Sequence, residues 1–419
     1  MTENNIPSGW METTLGGVVD SANTGLDAIK RAPIVEEKTG VKCFRIQDAS
    51  QKKAYENWGN TKVEDKNYQR FKLLKGDILI ARTGNTIGVN YLVQKDTKSV
   101  YNNGLIRLRV DNNCYYKFLY KIIESKIFDR YVQSIAYGTS TQPNMQINVL
   151  LGFNLLLPPL KEQKAIANIL TAFDNKIELL QAQNKTLETT AQTIFKEWFG
   201  KYQIGDDLPA GWKVGKLSET GNIVCGKTPS KAIKNYFGDD IPFVKIPDMH
   251  GQVFIINTTD NLSLMGADSQ KNKMLPANSI CISCIATVGL VSLTTKDSQT
   301  NQQINSIIPK NDFLREFLYL RLSIMNKHLN DLGSGGTATL NVNTSTFSSI
   351  ELVIPNENIL KDFNQIQSPI FEKILLNLKQ IQTLKQSREA LLPKLMSGQL
   401  RVNLSACNAQ ADDFKENIV

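Results

Sequence analysis

Residues 160–199 read LKEQKAIANILTAFDNKIELLQAQNKTLETTAQTIFKEWF, forty residues with neither proline nor glycine. Within them Ile166, Leu170, Phe173, Ile177, Leu180, Asn184, Leu187, Ala191, Ile194 and Trp198 step alternately by four and three. That spacing holds one stripe of a helix toward one partner, the pattern of a coiled-coil seam. The helix is expected to begin near Leu160, just past Pro158 and Pro159, and to end by Gly200. At about 1.5 Å per residue it forms a rod of roughly 60 Å. A second seam runs through Leu360, Phe363, Gln367, Ile370, Ile374, Asn377, Ile381, Leu384, Arg388, Leu391 and Leu395, in a helix starting near Ile359. If the two helices pair antiparallel, Asn184 and Asn377 come together near mid-seam and fix the register. The other reading turns one or both to solvent at a seam edge.

Outward from the helices, the chain is written twice. Pro7-Ser8-Gly9-Trp10 returns as Pro209-Ala210-Gly211-Trp212, and Phe44-Arg45-Ile46-Gln47-Asp48 as Val244-Lys245-Ile246-Pro247-Asp248. Asp77-Ile78-Leu79-Ile80 with Thr86-Ile87-Gly88 returns as Ser279-Ile280-Cys281-Ile282 with Thr287-Val288-Gly289. Gly138-Thr139-Ser140-Thr141 matches Gly336-Thr337-Ala338-Thr339, and Leu155–Pro158 matches Leu352–Pro355. The offsets drift from 202 to 197 in one order, as small loop changes in a duplicated gene product would give. Each repeat opens with about 150 residues of short β-type runs bounded by Gly, Asn and Pro turns, such as Asp77–Ala81, Ile106–Val110, Ile280–Ile285 and Ile350–Ile354. Each then passes into one of the long helices. The fold class that follows is α+β: two mainly β-rich α/β modules separated by two long antiparallel helices, with an internal pseudo-twofold duplication.

Composition limits what such a chain does. Its 419 residues predict two or three domains, and 41% hydrophobic residues exclude wholesale disorder. No apolar run is long enough to span a membrane, and MTENNIPSGW has neither the basic nor the apolar part of a secretory signal. Six scattered cysteines read as reduced thiols of a cytoplasmic protein. The net charge of +8 is uneven: residues 1–157 hold 21 bases and 15 acids, residues 208–355 hold 13 and 11. A basic balance suits a polyanion, because neutralised phosphates release condensed counterions. Two similar modules on a stiff spacer suit one extended ligand read at two places, and duplex DNA fits. Ala49–Leu73 and Met249–Lys273 are the least alike stretches of the two repeats, where different readout would lie. Lys52, Lys53, Arg70, Lys72, Lys271 and Lys273 are candidates for phosphate contact. Arg82, Asn85, Gln142 and Asn144 are side chains of the kinds that pair with base edges.

Matches to catalytic motifs are weak. Gly221-Asn-Ile-Val-Cys-Gly226-Lys227-Thr228 fits the phosphate-loop pattern, which needs a buried strand before it and a helix after it. Pro229 and Asn235–Gly238 leave little room for that helix, and Leu15–Asp20, set against this loop in the first repeat, has no lysine. A turn at the start of the second module is the alternative. Cys281-x-x-Cys284 lacks a second pair for zinc, and His250 and His328 are too few for a histidine-based triad. No metal site and no catalytic group are expected on this chain.

The chain resembles the specificity subunits of type I restriction–modification systems. The resemblance rests on Leu157–Ala167, Asp174-Asn175-Lys176-Ile177, Ile194–Phe199, Leu391–Leu400, the paired Gly-Trp starts and the Gly-Asp-Ile-Leu-Ile run. One departure is Pro355-Asn356-Glu357, where the first repeat has Pro158-Pro159-Leu160. The resemblance implies a first target-recognition domain over 1–157, a spacer helix over 158–203, a second domain over 204–355, a second helix over 356–400 and a tail over 401–419. It implies a non-enzymatic subunit, each domain reading half of a split, asymmetric site in double-stranded DNA. The helices would set the spacing and dock two modification subunits, with restriction subunits joining the complex. S-adenosylmethionine would then belong to the modification subunit, and ATP and magnesium to the restriction subunit, leaving this chain without a cofactor. The competing reading is a duplicated coiled-coil scaffold that binds proteins without sequence-specific DNA binding.

Overall fold

The computed structural model describes residues 6–137, 144–333 and 341–403. The chain divides into two compact units, Met1–Asn175 with Lys385–Val419, and Lys176–Leu384. Two helices of 40 residues, Leu160–Phe199 and Glu357–Met396, each contribute to both.

In the first unit, Met11–Thr14 pairs antiparallel with Asn154–Leu157, Met11 opposite Leu157. This clasp brings the start and end of the module together where the long helix begins. An antiparallel sheet has the order Val19–Thr24, Leu105–Val110, Ile78–Ala81, Asn90–Leu92. A second sheet orders Ile34–Val35, Gly59–Thr61, Lys42–Phe44 and Ser99–Tyr101, the last two parallel. Strand Ile78–Ala81 is buried on both faces, and its period of two divides it between cores. Ile78 and Ile80 pack with Trp10, Leu15 and Phe118, while Leu79 and Ala81 pack with Phe44, Trp58 and Tyr101.

The second unit repeats the plan. Lys213–Lys216 clasps Glu351–Ile354, and the order Gly221–Cys225, Ile304–Pro309, Ile280–Ser283, Val291–Thr294 matches the first antiparallel sheet, with Phe254–Ile255 added in parallel at the edge. Phe237–Val244 pairs in parallel with Gln299–Thr300, as Lys42–Phe44 does with Ser99–Tyr101. Ile280 and Ile282 face one core and Cys281 another. The duplication read as scattered identities is thus a duplication of strand order and register. The repeat match Gly138–Thr141 with Gly336–Thr339 lies outside the described residues.

The modules hold more helix than the β-type runs suggest. Tyr116–Ile123 and Lys126–Tyr137 follow the first antiparallel sheet, and Arg315–Ile324 and Asn326–Gly333 follow the second. The stretches Ala49–Leu73 and Met249–Lys273, read as turn-rich, also carry short helices, Asp65–Phe71 and Leu264–Asp268.

The long helices pair antiparallel within each unit. In the second, Ile177, Leu180, Ile381 and Leu384 form a small apolar cluster. Next to it Asn377 donates to Asn184 at 2.8 Å and to Gln183 at 2.9 Å, and Asn184 donates to the Ile374 carbonyl at 3.4 Å. Both asparagines are buried. In the first unit, Ile166 and Leu170 share a core with Leu391 and Leu395. Arg388, at a seam position, pairs with Asp174, which also takes Lys121 at 2.6 Å. Phe173 is half-buried beside that charged cluster.

Past Ala191 the pattern departs from a single stripe. Phe195 and Phe199 are more buried than Ile194 and Trp198, and Phe371 more than Ile370; Leu187 is half-buried. These stretches face two things at once. Phe199 packs on Phe363 of the other helix at 4.8 Å and on Phe317 of the module at 5.2 Å, and Phe371 packs on Tyr319 at 5.3 Å. A helix with two neighbours buries a wider face than a two-helix seam requires.

Replacing Asn377 by leucine leaves the buried Asn184 Oδ1 without its donor. We expect a loss of about 1–3 kcal/mol in denaturant unfolding. Replacing both asparagines by leucine should recover most of it. A double variant no more stable than the single one would show that their bond does not govern this packing.

Candidate nucleic-acid interface

Each doubly buried strand ends at a polar tip. Past Ala81 the chain leaves the core, and the Arg82 N–H donates to the Gly104 carbonyl at 3.0 Å. The Met145 N–H donates to the Arg82 carbonyl at 2.9 Å, so the backbone at Arg82 is held from both sides. Its Nη2 donates to Asn144 Oδ1 at 2.9 Å. Gly84 turns the loop with φ +71°, and Asn85 beside it is exposed. The adjoining turn brings Asn102 and the exposed Asn103, Asn102 carrying a buried Oδ1 without a partner.

The second module repeats this frame with different side chains. Cys284 N–H donates to the Gln303 carbonyl at 2.8 Å, and Val342 N–H to the Cys284 carbonyl at 2.9 Å. Ala286 stands where the first module has Gly84 and keeps the left-handed backbone, φ +64°. A Cβ there costs roughly 1 kcal/mol or more. Exposed Asn341 corresponds to Asn144, and Gln302 to Asn103, with Thr228 donating to Gln302 at 2.7 Å. Asparagine and glutamine amides offer the donor and acceptor together that an adenine edge needs. Asn102, Asn103, Gln302 and Gln303 were absent from the sequence-based candidates. Their signal was the alignment of Tyr101-Asn-Asn-Gly with Thr300-Asn-Gln-Gln just before a buried strand.

Of the sequence-based candidates, the structure brings Arg82, Asn85 and Asn144 to one tip. Gln142 lies outside the described residues. Lys52 is exposed in a left-handed turn, while Lys53 is half-buried and reaches Asp48 at 3.5 Å. Arg70 is exposed and stacks over Phe71 at 5.3 Å. Lys72 Nζ donates to Gln69 at 3.0 Å. Lys271 and Lys273 share the short turn Lys271–Lys273, whose preceding Gln270 donates to the Lys227 carbonyl at 2.8 Å.

The phosphate-loop match has another explanation. Strand Gly221–Cys225 corresponds to Val19–Thr24, which corrects the alignment to Leu15–Asp20: Gly226 matches Gly25 and Lys227 matches Leu26. Both glycines lie against the crossing chain, where a Cβ would sit 2.2 Å from the Tyr101 or the Asn301 carbonyl oxygen. The Leu26 and Lys227 N–H groups both donate to that chain, at 2.9 Å. After Lys227 the chain makes only the short 3-10 turn Lys234–Tyr236, so no helix N-terminus faces the loop. The glycine is required by packing. The Gly226 and Lys227 amides are already engaged by protein.

Cys281 and Cys284 are buried in apolar surroundings, and among the described residues no cluster could hold a metal ion. Burial pushes the thiols of Cys43, Cys114 and Cys281 up to about 12 and that of Cys284 up to about 11. Among the described residues no helix is long and apolar enough to cross a membrane.

The family model for the type I restriction modification DNA specificity domain matches this chain twice, over residues 7–189 and 209–386. Each match takes in one module and much of the helix that follows it. The type I restriction enzyme HindI specificity subunit of Haemophilus influenzae is 41% identical over 354 residues, covering 68% of this chain and 77% of that relative. The MjaIX specificity subunit of Methanocaldococcus jannaschii is 26% identical over 350 residues, 78% of each chain. A solved type I restriction–modification S subunit from M. genitalium has a similar fold, with TM-score 0.61, 17% identity, and 94% and 98% of the two chains covered.

The raised thiols predict chemical silence. At pH 8 a group with pKa near 11 or 12 is almost wholly protonated, and its thiolate appears only on unfolding. Cys43, Cys114, Cys281 and Cys284 should stay unmodified by a thiol-directed disulfide reagent in the native protein, and react once denaturant is added. Rapid native labelling at any of the four, located by peptide mapping, would contradict their burial.

Proposed function

The chain belongs to the family of type I restriction–modification DNA specificity proteins, and we propose that its two modules each read one half of a split site while the long helices set the gap and dock two modification subunits. Members of this family are recognition subunits without catalysis of their own. The observation that carries the finer reading is the repeated frame with divergent tips. Backbone bonds at Arg82 and Cys284 are the same, but one tip offers a guanidinium and the other does not. Two readers of one fold with different contact groups suit an asymmetric target.

On this reading residues 1–157 and 204–355 are the two target-recognition domains, 158–203 and 356–400 are the spacer helices, and 401–419 is a tail. S-adenosylmethionine, ATP and magnesium act on the modification and restriction subunits, and the assembly works on DNA in the cytoplasm. The scaffold alternative draws no support from the family membership. Two partner copies fit a further feature. Leu179 and Leu376 are 61% and 58% exposed and stand 197 residues apart, the offset that relates Leu155 to Leu352. Identical apolar contacts at repeat-related positions suit two copies of one partner. Lys176 and Lys385 lie on exposed helix surface, whereas Glu188 is half-buried and its carboxyl is raised by burial.

Two measurements test this. Inserting one heptad into each spacer helix in register adds about 10 Å, or about three base pairs of rise. The methylated motif should keep both halves and widen its gap by about that amount; an unchanged gap would remove the spacer role. Leu179→Glu with Leu376→Glu should weaken co-purification with the modification subunit at least tenfold, with little change in thermal unfolding, since both side chains are exposed. Undiminished assembly would move the docking surface elsewhere.

A further inference from the structure

We propose that Arg82 reads a guanine in the half-site taken by the first module, that Asn144 is its positioning residue, and that the second module reads its half-site without an arginine. This rests on the DNA-recognition reading above and adds which side chain decides which base. Of the other six arginines in the first module four are tied up within the fold, while exposed Arg70 stacks over Phe71 and exposed Arg130 donates to the Lys126 carbonyl.

In the first module, Arg31, Arg45 and Arg109 are ion-paired with Asp27, Asp48 and Asp77 at 2.7, 3.5 and 2.7 Å. Arg107 is 4% exposed and stacks over Tyr101. Among the described residues Arg82 has no carboxylate partner; its guanidinium is held by the neutral oxygen of exposed Asn144. A neutral acceptor orients the fork without cancelling its charge. With the backbone pinned at both N–H and carbonyl, much of the ordering cost of a long side chain is already met in the free protein. Arg82 is half-buried with its Nε buried and unpartnered, while Asn85 and Asn144 beside it are exposed; a charged guanidinium with donors to spare at such a tip is the group that pairs with guanine O6 and N7.

The second module lacks the means for this contact. Its sequence has two arginines between 204 and 355, Arg315 and Arg321. Arg315 is paired with Glu316 and donates to Asn278 at 2.9 Å. Arg321 stacks on Phe195 and Phe317, at 5.1 and 5.8 Å, inside the packing of the long helix. At the position of Arg82 stands buried Cys284, and the exposed groups at that tip are the amides of Gln302 and Asn341. The two half-sites are therefore read by different chemistry.

The test uses the full chain assembled with its modification subunits, methylating a pool of randomised duplexes that is then sequenced. The wild type must first yield a split motif; if it does not, the DNA-recognition reading fails before Arg82 is at issue. Arg82→Lys keeps the charge and the stem but loses the fork. It should lower the preference for one guanine by about tenfold or more, leaving the other half-site and the gap unchanged. Arg82→Ala should do the same, and Asn144→Ala should relax the same position less. A uniform fall in methylation with base preferences intact would make Arg82 a phosphate contact and overturn the proposal. Relaxation at a base other than guanine, or in the second half-site, would also overturn it. Where Arg82→Ala does not assemble, Arg82→Lys decides, since continued reading of the other half-site reports a folded complex.

Discussion

An apolar seam that repeats every seven residues is nearly indifferent to a slip of seven, because leucine meets leucine in either register. The Asn184–Asn377 hydrogen bond removes that indifference. A one-heptad slip would set each buried amide against an aliphatic side chain, with desolvation unmatched. The register so chosen also decides what meets beyond the asparagines. It sets Ile177 and Leu180 against Ile381 and Leu384, and the Gln367 amide on the Ala191 carbonyl at 3.3 Å. In the other unit the same antiparallel pairing has Ile166 and Leu170 packed with Leu391 and Leu395. The modules attach to these helices through the same cores, since Trp10 and Phe118 share the cluster of Ile166, and Phe317 that of Phe195.

What was legible in the sequence was what depends on period. The four-three spacing from Ile166 to Trp198 located a helix that spans Leu160–Phe199, and the buried runs at Ile78 and Ile280 located strands. What escaped needed tertiary contacts. Phe195, Phe199 and Phe371 lie one residue off the seam, and nothing in a two-helix pattern reveals the module packed behind it. The helices Tyr116–Ile123 and Arg315–Ile324 were missed because their short apolar runs, Phe118-Leu119 and Phe317-Leu318, carry too few turns to separate a period of 3.6 from one of two. The polar tips escaped for a different reason. Residue type marked Arg82 and Asn144 as able to pair with bases, but only the fold shows that a distance of 62 residues closes to one hydrogen bond.

The two modules also show which positions duplication leaves free. Gly25 and Gly226 are both kept, because a side chain would strike the neighbouring backbone. Arg82 and Cys284 differ although their backbone bonds are alike, because those bonds ask nothing of the side chain. Divergence is thus channelled to the ends of strands whose interiors are fixed by burial on two faces. The Gly226-Lys227-Thr228 run shows the converse: a sequence that copies a nucleotide-binding signature arises here from the demands of a close backbone crossing.

The clasps Met11–Thr14 with Asn154–Leu157, and Lys213–Lys216 with Glu351–Ile354, bring the first and last strands of each module side by side. A module closed in this way behaves as a cassette. Crossovers at its two borders can replace everything between them in one event, so one recognition module can be exchanged whole while the long helices on either side stay as they are.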